Sequence, residues 1–279
     1  MVIEKRALIF LALTFAVSWS SVFFAWFDGR HNFNDAGIFV FIFGISPAFV
    51  AITCNFMFDK GRRLEVLGIK FCPNRWWLWA ALIPIALIAV GIGIHAFFSP
   101  YELLNLEGTA RHLADLQHHS YSNPSLYLAG FFLPKVAGFV LLAIGEELGW
   151  RGYLYSLWRP LGFWRASLAI GLVWGIWHSP LVYLYGLNYP DHRLLGLFLN
   201  PLSSIAFAPI LTLVRDRGYS VWPAVILHGA TNGLAPLIFF TSAAPEFPDM
   251  SVSISISIAT ALGALLIMLF QCRTPTAPD

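Results

Sequence analysis

Eight stretches of this chain are long and apolar enough to cross a bilayer, and that constrains its fold more than any other feature. They fall at about residues 7–27, 36–58, 76–98, 125–148, 163–186, 194–214, 221–240 and 251–270, each near the ~20 residues that a spanning helix needs. Lipid offers a backbone no hydrogen-bond partner, so stretches of this kind cross as helices. The fourth should run on to about Trp158, because GEELGWRGYLYSLW has no proline and Pro160 is the first strong breaker. The fold expected is all-α: one polytopic membrane domain over residues 1–279, with about eight transmembrane helices around a polar intramembrane cavity.

Composition agrees. Only 11% of the 279 residues are charged and 58% are hydrophobic, against roughly 25% charged in an average soluble domain. The apolar content excludes disorder, three cysteines exclude a disulfide scaffold, and a net charge of +2 gives no reason to expect nucleic acid as a partner. The first span follows Glu4, Lys5 and Arg6 and ends in Ala25-Trp26-Phe27-Asp28, too bulky for a cleavage site. Its apolar run also exceeds the roughly 7–15 residues of a signal-peptide core, so a retained anchor is expected.

The basic residues alternate. Lys5, Arg6, Lys60, Arg62, Arg63, Lys70, Arg75, Arg151, Arg159, Arg165, Arg215, Arg217 and Arg273 belong to the N-terminal tail and the even-numbered connections, whereas the odd-numbered ones hold only Arg30, Arg111 and Arg193. By the positive-inside rule both termini are expected to be cytoplasmic, in what reads as a bacterial inner-membrane protein. Cys72 and Cys272 then lie on the cytoplasmic side and Cys54 within a span, so no disulfide is expected.

A charge at mid-bilayer costs at least ~2.5–3.5 kcal/mol, so a charged residue found there faces a cavity or a partner. Among the 15 acidic residues only Glu146 and Glu147 fall at membrane depth, and among the eight histidines His178 and His228 lie well inside spans. Adjacent helical residues differ by about 100° in direction, so the two glutamates point different ways. Glu147 stands four residues before Arg151 and can pair with it, leaving Glu146 free. Trp174 and His178 share a face, as do His228 and Asn232. Singly, each feature suits a structural role as well as a functional one; together they point to a reactive cavity, with the polar core at about 125–240. Pro180, Pro223, Gly229 and Gly233 stand beside these residues, where they loosen packing or let a backbone approach. Lys135 lies ~16 Å from Glu146 along the helix and is expected to be structural or to snorkel. Residues 111–119, with His118 and His119, are expected as an interfacial loop rather than a metal site.

EExxxR (Glu146–Arg151), aromatic-xxx-His (Trp174–His178) and HxxxN (His228–Asn232), in this order on three helices, resemble the CPBP intramembrane protease family. That family includes the CAAX prenyl protease 2 enzymes and the bacterial abortive-infection or lysostaphin-resistance proteins. Trp174 departs from the family's usual phenylalanine, and the first three spans carry no motif.

The resemblance implies an intramembrane endopeptidase in which Glu146 and His178 activate a water while His228 and Asn232 stabilise the oxyanion. Glu147, Arg151 and Trp174 would support them. It leaves open a zinc route with Glu146, His178 and His228 as ligands. The partners implied are membrane lipid and a peptide or protein substrate, membrane-anchored or lipidated. The competing reading is a non-proteolytic scaffold, chaperone or transporter using the same cavity. No HExxH, GxSG or intramembrane aspartate pair is present, which removes three other intramembrane protease mechanisms.

Overall fold

The helices of the computed structural model follow the apolar runs, with breaks where proline or a change of winding imposes them. The structure describes residues 2–59, 61, 63–98, 106–240 and 250–271. In chain order the helices are α1 (Val2–Phe27), α2 (Gly37–Phe58), α3 (Arg63–Leu67), α4 (Arg75–Phe98), α5 (Leu106–Gln117) and α6 (Pro124–Glu147), then a π-helix (Leu148–Leu154). After it come α7 (Tyr155–Trp158), a short 3-10 turn (Arg159–Leu161), α8 (Phe163–Trp177), α9 (Ser179–Tyr185), α10 (Arg193–Arg217), α11 (Trp222–Leu234), α12 (Pro236–Phe240) and α13 (Met250–Gln271). No strand occurs among the described residues. The protein is an all-α polytopic membrane protein.

Seven of the eight expected stretches form helical segments long and apolar enough to cross a membrane: Lys5–Phe27, Gly37–Phe58, Arg75–Phe97, Pro124–Leu161, Phe163–Tyr185, Arg193–Arg217 and Val252–Phe270. The remaining stretch, 221–240, is split between α11 and α12 at Ala235, just before Pro236, whose ring cannot continue the preceding turn's hydrogen bonds. The 163–186 stretch is likewise interrupted at His178, two residues before Pro180. The fourth does run on through Trp158, but residues 148–154 are wound as a π-helix rather than an α-helix.

Close backbone approach holds the motif helices together. A Cβ on Gly229 would fall 2.3 Å from the Cα of Val140 on α6, and one on Gly233 2.6 Å from the Cα of Val136. On the other side of α6, a Cβ on Gly145 would fall 2.7 Å from the Gly44 carbonyl of α2, and one on Gly149 2.9 Å from the Pro47 carbonyl. Small residues at four-residue spacing give membrane helices this kind of contact. The expectation that Gly229 and Gly233 admit a backbone holds, and the backbone is that of α6.

The segment around residue 111 is helix α5 rather than a loop; Ala110 and Leu113 bury against Leu128 and Phe132 of α6, while His118 and His119 stay exposed. Lys135 stands over the Phe131 ring at 4.6 Å, in line with a structural role. Cys54 is buried and Cys72 exposed, both as free thiols, and Cys272 lies outside the described residues.

Candidate active site

The motif residues meet around one cavity of about 750 Å³, whose walls include Glu146, Trp174, His178, His228 and Asn232. Glu146 comes from the last turn of α6, His178 from the break between α8 and α9, and His228 and Asn232 from α11. Three helices thus bring together residues up to 86 positions apart in sequence, counted from Glu146 to Asn232.

The two glutamates divide as the helical phase predicts. Glu147 is fully buried, and its Oε1 accepts from Arg151 Nη1 at 2.9 Å and from His228 Nδ1 at 2.8 Å. Arg151 is equally buried, and its guanidinium stacks over the Trp174 ring at 4.6 Å. A buried cation needs such partners, because removing one leaves an uncompensated charge. The pairing with Arg151 is the one expected from spacing; the bond to His228 joins positions 81 apart and has no local signature. Through it, Glu147 orients one of the candidate oxyanion donors.

Glu146 faces the cavity, partly exposed, with its Oε2 3.9 Å from His178 Nε2. The same oxygen accepts from Trp174 Nε1 at 2.7 Å. His178 Nδ1 lies 3.0 Å from the Trp174 carbonyl; a carbonyl only accepts, so Nδ1 carries the proton and Nε2 of the neutral ring presents a lone pair. A carboxylate oxygen and an imidazole lone pair at this spacing are two acceptors that one water can bridge.

Trp174 is where sequence reasoning fell short. It reads as an aromatic wall equivalent to phenylalanine, and it does pack edge-on to His178 and His228, with ring centroids at 5.6 and 5.2 Å. Its indole N–H, however, is a direct ligand of Glu146, which phenylalanine could not supply. The signal was available in the donor inventory of tryptophan. Sequence reasoning also missed a polar part of the cavity lining, made by Asn200, Ser203 and Ser204 of α10 and Ser253, Ser257 and Thr260 of α13, with Ser203 hydrogen-bonded to Ser257. The Ser-Val-Ser-Ile-Ser-Ile-Ser run at 251–257, unusual in a spanning helix, was its trace.

Among the described residues no three His, Cys, Asp or Glu side chains converge in a way that could hold a metal ion. Glu146 and His178 face one another, but His228 is turned toward Glu147, and one oxygen of Glu146 is already bonded by an indole N–H. A catalytic zinc ordinarily takes three protein ligands and a water. The arrangement does not fit that requirement.

Residues 128–234 match the family model described as type II CAAX prenyl endopeptidase Rce1-like. The CAAX prenyl protease 2 of Methanococcus maripaludis is 36% identical over 73 residues, covering 21% of this chain and 27% of that protein. Just over a quarter of the curated relative's length is therefore matched. The matched segment contains all three motifs, among them Trp174 and His178, which stand against the Glu146 carboxylate. Over residues 128–234 the chain is therefore similar to the Rce1-like CAAX prenyl endopeptidases, in line with the resemblance to the CPBP proteases carried by the three motifs.

Proposed function

We propose that the protein is an intramembrane endopeptidase that hydrolyses a peptide bond by glutamate-activated water. One observation carries the reading: Glu146 Oε2 and His178 Nε2 face each other at 3.9 Å on the cavity wall, with the histidine tautomer set by the Trp174 carbonyl. A water between them donates one proton toward each acceptor. Glu146 removes its proton as the water oxygen adds to the substrate carbonyl, and returns it to the departing amine. The second proton stays on the oxygen that becomes part of the new carboxyl group.

The tetrahedral oxyanion needs donors. Asn232, on the cavity wall one helical turn beyond His228, supplies an amide N–H in any protonation state. His228 donates its Nδ1–H in a hydrogen bond to Glu147, so it serves the oxyanion through Nε2–H as the doubly protonated ring. Glu147 and Arg151 hold that ring in place. The donor count favours the glutamate route over the zinc route, and the corresponding expectation is that chelators leave activity intact. Stoichiometric zinc in the purified protein, lost in His178→Ala together with activity, would reverse that assignment.

The family description and the curated relative both name CAAX prenyl proteases, and a membrane-anchored or lipidated peptide suits the cavity, whose lining combines Phe41, Phe43 and Phe139 with hydroxyls and carboxamides. The decisive experiment compares the membrane proteome of cells carrying wild type with that of cells carrying Glu146→Ala, followed by cleavage of the accumulating precursor by purified protein. Loss of cleavage in Glu146→Ala, at normal insertion and folding, is the expected result. Cleavage undiminished in that variant would remove the mechanism, and a cellular phenotype indifferent to Glu146→Gln would favour the scaffold, chaperone or transporter reading.

A further inference from the structure

We propose that Trp19 and Ser18 of α1 are positioning residues: they hold the helix break that carries His178 and so set its imidazole opposite Glu146. The consequence for hydrolysis rests on the protease reading above, but the placement of the ring stands independently of it.

His178 sits where regular helical winding stops. It ends α8 and opens α9 with φ −73° and ψ −10°, against a ψ of about −42° inside an α-helix. Pro180 has no N–H to offer the Ile176 carbonyl four residues before it. A helix end leaves backbone groups to be satisfied from outside the helix. Whatever satisfies them here also fixes the direction of the side chain at the break.

The partners come from α1. The indole N–H of Trp19 donates to the Trp177 carbonyl at 3.0 Å. That carbonyl and the His178 N–H belong to one planar peptide unit, so the bond restrains the torsions that aim the His178 side chain. Ser18, fully buried, accepts from the Trp177 indole N–H at 2.7 Å and shares a hydrogen bond with Ser46 of α2. The Trp177 ring, equally buried, stacks on Phe43 with centroids 4.0 Å apart and stands edge-on to Trp150 and His178 at 5.5 and 4.6 Å. Two adjacent residues of α1 therefore hold Trp177 by its backbone and by its side chain. At the end of α9 the Tyr185 hydroxyl donates to the Val22 carbonyl at 3.3 Å, so α1 braces the segment on both sides of the turn that His178 begins.

The pair that this brace serves leaves little slack. Glu146 Oε2 and His178 Nε2 stand 3.9 Å apart, and a misplacement of about 1 Å at reacting groups can cost on the order of 10²-fold in rate. A clasp that only added stability could lie anywhere along the helix; this one lies on the peptide unit of His178 itself. Trp19 and Ser18 fall outside residues 128–234 and bond across 158 and 159 positions of sequence, so no motif spacing announces them. The first span, which carries no motif, thereby gains a part in the site.

The test removes the indole N–H and keeps a ring. Trp19 is half-buried beside Phe15 and Phe23, with centroids at 5.2 and 6.5 Å, contacts that Trp19→Phe retains in kind. Full-length protein labelled at its histidine nitrogens and reconstituted in lipid is read by solid-state NMR, the His178 signal being identified by its loss in His178→Gln. Wild type should show His178 as one tautomer, protonated at Nδ1. Trp19→Phe should show a mixture of the Nδ1–H and Nε2–H forms, with the His228 signals unchanged. Cleavage of the accumulating precursor should fall about ten-fold in kcat with KM little changed, at an unmoved melting temperature. A single Nδ1–H signal in the variant would overturn the proposal, and so would a loss of kcat that merely follows a lowered melting temperature. Should Trp19→Phe fail to insert, Ser18→Ala withdraws the acceptor of the Trp177 N–H and carries the same expectation. The spectrum requires no hydrolysis: a mixed His178 signal in a protein that cleaves nothing retains this proposal and loses the protease reading, and a cleaving protein with an indifferent His178 does the reverse.

Discussion

An indole N–H on one oxygen of Glu146 restrains the carboxylate of the residue proposed to take a proton from water. Trp174 supplies that bond at 2.7 Å while its carbonyl fixes the tautomer of His178, so one residue orients both water-binding groups. Trp174→Phe keeps the aromatic wall and removes only the N–H. A hydrogen bond to a charged group contributes about 1.5–3 kcal/mol, and the part that survives as orientation should cost about ten-fold in kcat with KM little changed. The check is steady-state kinetics on the identified precursor beside a thermal melt, which should not move. Asn232→Ala is expected to cost more, roughly 10²–10³ in kcat, because an oxyanion donor acts only in the transition state. At this scale the sequence revealed residue identity better than residue role. Glu147 was legible as the partner of Arg151 because they are four apart. Its bond to His228 was not, because nothing local encodes a contact across 81 positions.

At the scale of elements, the motif residues sit beside the glycines that pack their helices. Gly145 precedes Glu146, Gly229 follows His228, and Gly175 lies three residues before His178, where an added Cβ would fall 2.4 Å from the Cα of Pro201 on α10. The position of each functional side chain is therefore set by how closely two backbones approach. Gly229→Val should push α11 from α6 and destabilise the protein by about 1–3 kcal/mol, the usual cost of overpacking. It should also lower activity by displacing His228, measurable as a reduced melting temperature in detergent and reduced turnover. Arg151→Met leaves Glu147 charged and buried, which costs about 3–5 kcal/mol, whereas the double variant Glu147→Gln/Arg151→Met should recover part of that loss. Helix existence and order were legible from hydropathy. The breaks at His178 and Ala235 were less so, since Pro180 and Pro236 each sit inside an apolar run that a composition window reads as continuous. The π-winding of 148–154 had no sequence signal beyond the glycines at 149 and 152, whose close contacts with Pro47 and Leu67 are visible only once the helices are assembled.

For the molecule as a whole, stability is unevenly distributed between the packed layer around the π-helix and the loops around Phe33 and Asn188. The packed layer is dense in buried aromatic rings and long-range hydrogen bonds, while Phe33 and Asn188 reach the cavity from connecting loops. Hydrogen exchange should show the amides of 148–158 and 66–70 among the slowest of the connecting segments and those of 28–36 among the fastest. Equal rates across the two would contradict this uneven distribution of stability. The packed layer also has an electrical consequence. Because aqueous solution conducts and packed protein insulates, the voltage drop of the membrane falls across packed protein, where each elementary charge experiences about 2.3 kcal/mol per 100 mV over the full drop. Glu147, Arg151 and Arg215 are charges buried in that layer, so a membrane potential would act on the same groups that brace the cavity.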